Sequence, residues 1–147
     1  MKTNDSVKAT GQVSIDIFGP NGELKEKAYI PNLVVAVGRA YIASRMKDDT
    51  ATAMSHMAVG TGAVAADAAD TTLGTEANRQ LLSSTVVASN VVTYTANYVA
   101  GQGTGALTEA GIFNASSAGT MLCRTVFDVI NKAVDDSMTI TWTVTLS

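Results

Sequence analysis

The last strand-like segment of the chain limits its possible folds more than any other feature. From Met138 to Leu146, apolar and hydroxyl residues alternate without interruption, with Ile140, Trp142 and Val144 separated by threonines. A period of two places successive side chains on opposite faces of a β-strand. Threonine suits such a strand because its branched Cβ packs well on a pleated surface. The segment therefore predicts a strand with one core face and one face open to water or to a partner.

Shorter segments repeat this pattern earlier in the chain. Val13, Ile15 and Ile17 alternate with polar residues, which predicts a first strand. Turn-forming residues follow at 19–22, and Leu24–Ile30 is predicted to be the second strand. Because Pro and Asn-Gly supply the backbone angles of a tight turn, this arrangement predicts a β-hairpin. The same reasoning predicts a short strand at Ser55–Val59 and two further hairpins, Ser84–Ala88 with Val91–Ala100 and Leu107–Phe113 with Met121–Phe127.

One segment carries helical periodicity instead. Pro31 is predicted to end the second strand, and Asn32 is a suitable N-cap for a helix from Leu33 to Met46. Gly38 lies inside this helix, where glycine costs roughly 1 kcal/mol relative to alanine. The pattern predicts one amphipathic helix among the strands.

These elements predict a mainly β fold. About eight short strands joined mostly by hairpins favour an antiparallel β-sandwich, of jelly-roll or immunoglobulin-like type, with one short helix near residues 33–46. Residues 71–82 allow either a short helix or an irregular crossover. Residues 1–10 are polar and without periodicity, and we expect them to form a flexible N-terminal arm ahead of a single domain at 11–147.

Composition narrows the classes of function. Charged residues make up 16% of the chain, against about 25% in typical soluble domains, and small and hydroxyl residues replace them. Such a surface suits packing against other proteins, although a threonine-rich β domain without a partner would have the same composition. The ten Lys and Arg residues are scattered and the net charge is −3, so no concentrated basic face for nucleic acid is indicated.

Neither a membrane segment nor a disulfide is predicted. The longest aliphatic run, Leu33–Val37, is far shorter than the ~20 residues that cross a bilayer, and the first residues lack the apolar region of a secretory signal. Cys123 is the only cysteine, which excludes an intramolecular disulfide and predicts a small buried apolar side chain. We expect the chain to be made and folded in a reducing cytoplasm.

Residues with possible chemistry are few. His56 is the only histidine and is expected to be a packed or hydrogen-bonded residue rather than a catalyst or metal ligand. The glycines at 60–62 and 101–105 lack the ending of a phosphate-binding loop and are predicted to serve turns. The carboxylates of two loops, Asp67 with Asp70 and Asp135 with Asp136, lack the donor pattern of a calcium-binding loop.

Two further groups have a structural and a functional interpretation. Glu109 and Arg124 lie on the two strands of one predicted hairpin, where an exposed cross-strand pair contributes about 0–1 kcal/mol. Tyr94, Tyr98 and Trp142 could form a platform for stacking on sugars, but packing in a core or interface is the expected role. No catalytic, metal or cofactor site is predicted, and we expect the protein not to be an enzyme.

Several blocks, taken together, resemble small virion proteins encoded by tailed bacteriophages. The resemblance covers roughly residues 30–147, in order. It rests on the Gly-Thr-Gly turn with its small-residue loop, on the hairpin sequence Thr-Glu-Ala-Gly-Ile-Phe-Asn, on Met121–Phe127 and on the closing threonine strand. The matched positions are expected to define the fold and not a binding site: Gly60, Thr61, Gly62, Thr108, Glu109, Ala110, Gly111, Ile112, Phe113 and Asn114.

The resemblance implies a particle-building protein of the head surface or of the tail. Because the chain lacks coiled-coil heptads, collagen-like repeats and a receptor-binding extension, we expect a capsid decoration, or cement, protein on the virion surface. Its expected partners are the major capsid protein and further copies of itself, as dimers or trimers, with contacts from Lys2, Asn4, Lys8 and Thr10 of the arm. A tail, baseplate or fibre-attachment component is the alternative, and a carbohydrate-binding module is a third possibility.

Overall fold

The computed structural model describes residues 6–47 and 51–147 and contains nine strands and one helix. In chain order these are β1 (Ala9–Phe18), β2 (Leu24–Val34), α1 (Ala36–Met46), β3 (His56–Gly60), β4 (Glu76–Leu81), β5 (Ser84–Ala88), β6 (Val91–Tyr98), β7 (Gly105–Phe113), β8 (Met121–Lys132) and β9 (Ser137–Leu146). The mainly β prediction and the three hairpins are confirmed.

The strands form one antiparallel sheet in the order β4-β3-β7-β8-β2-β1-β9-β6-β5. Strand β2 joins two halves of this sheet, one formed by β4, β3, β7 and β8 and the other by β1, β9, β6 and β5. It pairs with β1 as far as Asn32 and then with β8 through Leu33 and Val34. The sheet therefore curls as a half-barrel instead of separating clearly into two layers. Its two edges are β4 and β5.

The inner face of the curled sheet holds the main core. The alternation read from the sequence is confirmed, since Val13, Ile15 and Ile17 of β1 are buried together with the even-numbered residues of β9 from Met138 to Val144. Cys123 is also buried in this core, as expected, and burial raises the pKa of its thiol. The threonines of β9 alternate on the outer face and remain partly exposed.

The helix begins later than the sequence pattern predicts. It spans Ala36–Met46, and its N-cap is Val35 rather than Asn32, because Leu33 and Val34 extend β2 by pairing with β8. Pro31 does not end β2 but lies where the strand changes partner from β1 to β8, a position compatible with its missing N–H. In the described residues, no helix is long and apolar enough to cross a membrane.

Helix α1 packs on the sheet at its one fully buried residue, Gly38, and Tyr41 and Ile42 of the helix lie half-buried against the core. A β-carbon built on Gly38 would lie 2.7 Å from the carbonyl carbon of Leu122 and would overlap the carbonyl oxygen of the same residue. The glycine that weakens the isolated helix is therefore what lets the helix approach the backbone of β8.

The segment 71–82 contains a strand, and neither alternative considered for it was right. Glu76–Leu81 forms β4, which pairs antiparallel with β3 at the edge of the sheet. Its sequence, Glu-Ala-Asn-Arg-Gln-Leu, is not typical of a strand, and the pairing with the buried β3 overrides that local preference.

The predicted arm ends earlier than residue 10. Strand β1 begins at Ala9, because Ala9 and Thr10 extend its pairing with β9, and Lys8 and Ser147 exchange backbone hydrogen bonds of 2.6 and 2.9 Å. Of the predicted contact residues, Lys8 and Thr10 are exposed at this end of the sheet. Lys2 and Asn4 lie outside the described residues.

Candidate functional site

A pair of oppositely charged side chains is buried on the outer face of the β7–β8 hairpin. Glu109 and Arg124 are 0% and 2% exposed, respectively. Glu109 is opposite Val126 and Arg124 is opposite Gly111, so the two charges are diagonal neighbours on one face. The Arg124 Nη2 and Nε atoms donate to Glu109 Oε2 over 2.9 and 3.2 Å.

The carboxylate of Glu109 also holds the two ends of the loop formed by residues 61–75. Its Oε1 accepts the backbone N–H groups of Gly62 at 2.9 Å and Thr75 at 2.7 Å, and its Oε2 accepts that of Gly74 at 2.8 Å. A buried carboxylate is tolerated only when its oxygens are satisfied in this way. Glu109 therefore fixes where the loop leaves and rejoins the sheet.

Arg124 holds the middle of the same loop. Its Nη1 donates to Asp70 Oδ2 at 2.8 Å, and its Nη2 donates to the carbonyl oxygen of Val64 at 3.0 Å. We call Glu109, Arg124 and Asp70 the clamp, since together they bind the start, middle and end of the loop at 61–75. The loop contains no regular secondary structure, and backbone bonds from Thr61 N–H to the Thr75 carbonyl at 2.9 Å and from Ala36 N–H to the Ala68 carbonyl at 2.7 Å add to these side-chain bonds.

Small residues are needed where the loop meets the clamp. A β-carbon on Gly62 would lie 2.6 Å from Oε1 of Glu109, so a larger residue there would push the carboxylate away from the N–H groups that it binds. In addition, Thr108 Oγ1 donates to the carbonyl oxygen of Gly62 at 2.9 Å. The prediction of a turn at Gly60–Gly62 is wrong, because Gly60 ends β3 and neither glycine has a positive φ. This Gly-Thr-Gly segment and the Thr-Glu pair of β7 are instead parts of one structural unit, although 46 positions separate Gly62 from Thr108.

The loop also covers a second, smaller apolar cluster. Leu73 is buried on this outer face with Ala58, Phe113 and Met121. Because the loop buries Leu73 as well as the charged pair, it acts as a lid over one half of the sheet. The sequence interpretation of Glu109 and Arg124 as an exposed pair is therefore wrong, and the covering loop is the reason.

The bonds to the loop set the ionisation of Glu109. Burial alone would raise the pKa of its carboxyl group, but the N–H groups of Thr75 and Gly74, the Arg124 guanidinium and the N–H of Gly62 outweigh this and hold the pKa below its ordinary value of 4.5. A carboxyl group with a lowered pKa stabilises the folded state fully above the pKa it has when unfolded. That stabilisation is lost as the pH falls through the folded-state pKa.

We therefore expect acid to weaken the clamp. The difference in free energy of unfolding between the wild type and Glu109→Gln should be constant at neutral pH and should shrink as the pH falls from about 5 to 3, because only the wild type loses this contribution. Urea unfolding at a series of pH values measures the difference. Asp136, whose pKa is also lowered, is common to both proteins and cancels in the comparison. A difference independent of pH would contradict the prediction.

A second buried charged group closes the β8–β9 turn. Lys132, 1% exposed, donates through Nζ to the carbonyl oxygens of Asp136 at 2.6 Å and Val99 at 3.2 Å. The Asp136 carboxylate accepts the Ala133 N–H at 2.9 Å and forms an ion pair with Lys25 at 3.0 Å. These contacts make Asp136 a turn-forming residue, as the sequence predicted.

The other candidate polar residues serve local structure. His56 is half-buried, its Nδ1 lies 2.8 Å from Ser55 Oγ, and burial together with Arg79 lowers its pKa. Asp67 Oδ1 accepts the Ala69 N–H, and Asp70 Oδ2 accepts the Asp67 N–H besides the Arg124 bond. Among the described residues, no three His, Cys, Asp or Glu side chains form a group suited to a metal ion.

The aromatic residues considered for sugar stacking lie in the core. Tyr98 and Trp142 are fully buried and Tyr94 is 7% exposed. The Tyr98 hydroxyl donates to the carbonyl oxygen of Met57 at 2.6 Å, which satisfies it inside the protein, and burial raises the pKa of both tyrosines. Tyr98 and Trp142 present no free face at the surface, and Tyr94 contributes only to the wall of a groove beside α1.

Sequence reasoning identified the members of the clamp but not its arrangement. One feature of the sequence could have indicated that this pair is buried. Glu109 is the first charged residue after the uncharged stretch from Leu81 to Thr108, and Arg124 is the only charged residue between positions 110 and 127. A lone charge in a small-residue or apolar strand needs a buried partner. Comparison with known proteins adds nothing further, since no family model, curated protein or solved structure matches the chain.

Proposed function

We propose that this chain is a non-enzymatic bacteriophage virion protein, most specifically a capsid decoration protein that binds the outer shell and stabilises it. One observation carries the proposal. Two of the sequence blocks that resemble phage virion proteins, Gly60–Gly62 and Thr108–Asn114, meet in space through the clamp. These two blocks therefore belong to one physical unit and are not unrelated short matches.

The surface of the fold suits docking onto a protein shell. The outer face of β9 carries four partly exposed threonines, Thr139, Thr141, Thr143 and Thr145, between strands that are mostly uncharged. Burying hydroxyl and small side chains avoids the desolvation cost of unpaired ions. Each bound copy would add interface to the expanded shell and so favour that state by mass action. The proposed partners are the major capsid protein and further copies of this chain.

The fold class proposed with this function is a β-sandwich. A single core cluster, which includes Val13 and Trp142 from one half of the sheet and Ile112 and Leu122 from the other, fills the space between the halves. We propose that the halves correspond to the two layers of a jelly-roll or immunoglobulin-like sandwich, opened at the side where α1 lies. The chain would be synthesised in the cytoplasm of the host bacterium and act on the virion.

A tail, baseplate or fibre-attachment component is the alternative, since the same resemblance includes tail proteins. A carbohydrate-binding module receives no support, because its three candidate aromatic residues, Tyr94, Tyr98 and Trp142, are buried.

Cryo-electron microscopy of the virion whose genome encodes this chain tests the proposal. Copies of the chain repeated over the icosahedral shell are the expected result, and density confined to the neck or tail would overturn it in favour of the alternative. A second assay measures binding of purified protein to expanded shells. A variant lacking residues 1–7 retains β1, so its loss of binding would assign the contact to the N-terminal residues.

A further inference from the structure

Strand β5 is an edge without the usual protection. Its only partner among the described residues is β6, and all five of its residues, Ser84–Ala88, are exposed. Val86 and Val87 are 55% and 69% exposed, and they lie on opposite faces of the strand. Alternate backbone N–H and C=O groups along the free side of such a strand can pair with another strand.

Natural edge strands are commonly blocked by charged residues or proline. Strand β5 has neither, and the surrounding segment from Leu81 to Thr108 contains no charged residue and no proline. The opposite edge, β4, carries Glu76 and Arg79, and the Arg79 guanidinium stacks 3.8 Å above the Phe113 ring. The two edges of the sheet therefore differ in charge, and β5 is the uncharged one.

We infer that β5 pairs antiparallel with β5 of a second copy of this chain, across a two-fold axis at Val86. This register places Val86 opposite its own symmetry mate and Thr85 opposite Val87, on matching faces of the joined sheet. A second copy fits because it presents the same uncharged strand, so the ladder between the two β5 strands leaves no charge unpaired and opposes no like charges. A partner with charged side chains would find no complementary charge on β5.

The surface beside β5 enlarges the contact. On its inner side, Thr85 and Val87 line a mostly apolar groove of about 340 Å³ against α1, together with Tyr41, Ile42 and Tyr94, and Arg45 of α1 is the one charged residue among the described residues that line it. A five-residue ladder alone is smaller than the ~1,200 Å² of a stable interface. Pairing through β5 brings the inner-face residues of the second copy beside this groove, so that apolar area adds to the backbone hydrogen bonds.

The inference rests on the self-association part of the proposed function and is independent of where on the virion the protein lies. Size-exclusion chromatography with light scattering should give twice the chain mass for the wild type. Val86→Lys opposes two lysines across the axis and should give the monomer mass with an unchanged circular dichroism spectrum. Val129→Lys is the matched control, because Val129 is 51% exposed on another strand, and it should remain a dimer.

Two complementary variants test the register. An equimolar mixture of Val86→Lys and Val86→Glu should recover the dimer mass, since opposite charges then face each other. Val86→Cys should form a disulfide-linked dimer on oxidation, whereas Val129→Cys should not, and Cys123 does not interfere because it is buried.

A monomeric wild type, or a Val86→Lys protein that still dimerises, would overturn the β5 interface. Shell binding measured on the same samples separates this result from the proposed function. A monomeric wild type that binds shells overturns only the β5 interface. A dimer that does not bind shells leaves the interface intact and overturns the decoration role.

Discussion

Replacing Glu109 with Gln is expected to lower the free energy of unfolding by about 3–5 kcal/mol, the usual cost of removing one partner from a buried ion pair. The amide keeps the size of the side chain but replaces an acceptor oxygen with a donor group. One of the N–H groups of Gly62, Gly74 and Thr75, or the Arg124 guanidinium, then faces another donor. The positive charge of Arg124 also stays buried without its closest counter-charge.

Urea unfolding at neutral pH measures this cost. The matched control is Asp16→Asn, which breaks the surface ion pair with Lys27 and should cost no more than about 1 kcal/mol. Combining Glu109→Gln with Arg124→Met should cost less than the sum of the two single changes, because neither charge is then left alone. An effect of Glu109→Gln equal to that of the control would show that the clamp does not stabilise the fold.

Replacing Gly38 with Ala is expected to destabilise the protein by about 1–2 kcal/mol net, against the direction of helix propensity. Alanine favours an isolated helix by roughly 1 kcal/mol. At this position, however, its methyl group would overlap the Leu122 backbone, and overpacking of this kind costs about 1–3 kcal/mol or more. Because the obstacle is the main chain of a central strand, α1 must move away from the sheet.

The control is Ala40→Gly, at an exposed site of the same helix, where propensity alone acts and a loss of about 1 kcal/mol is expected. The two changes are inverse substitutions, and both should destabilise. Thermal or urea unfolding of the Gly38→Ala and Ala40→Gly variants shows whether packing against β8 or helix propensity determines the stability at position 38. A stabilised Gly38→Ala protein would mean that α1 does not rest on β8 as described.

The alternating segments could be predicted from the sequence because their pattern and their burial share one cause. In β1 and β9, every second residue faces the core, so Val13, Ile15, Ile17 and Trp142 follow the period of two directly. Hairpins were equally predictable, since neighbouring strands joined by short turns need no long-range information.

The errors occurred where distant contacts decide the outcome. Leu33 and Val34 fit a helical stripe, but β8 offers them a strand partner from about 90 residues further along, as in the pairing of Leu33 with Arg124. Strand β4 has a composition that suits a helix and is fixed by β3. The path of the sheet from one half to the other could not be derived from local patterns.

The clamp illustrates the same limit for the site. Its residues were visible as a possible cross-strand pair, but their burial depends on a loop of small residues that has no periodicity of its own. The loop has this position because three of its N–H groups bind Glu109. These bonds form only when the whole fold has brought the loop and the β7–β8 hairpin together, so no local pattern in the sequence predicts them.

The backbone bonds between Lys8 and Ser147 have a practical consequence for engineering. Lys8 and Ser147 lie side by side at one corner of the molecule. A guest peptide fused next to either residue would therefore be displayed at the same place on the surface. A linker of a few residues could also join the two positions covalently. New termini could then be opened in an exposed turn, such as the one at residues 20–22 between β1 and β2, without cutting a strand.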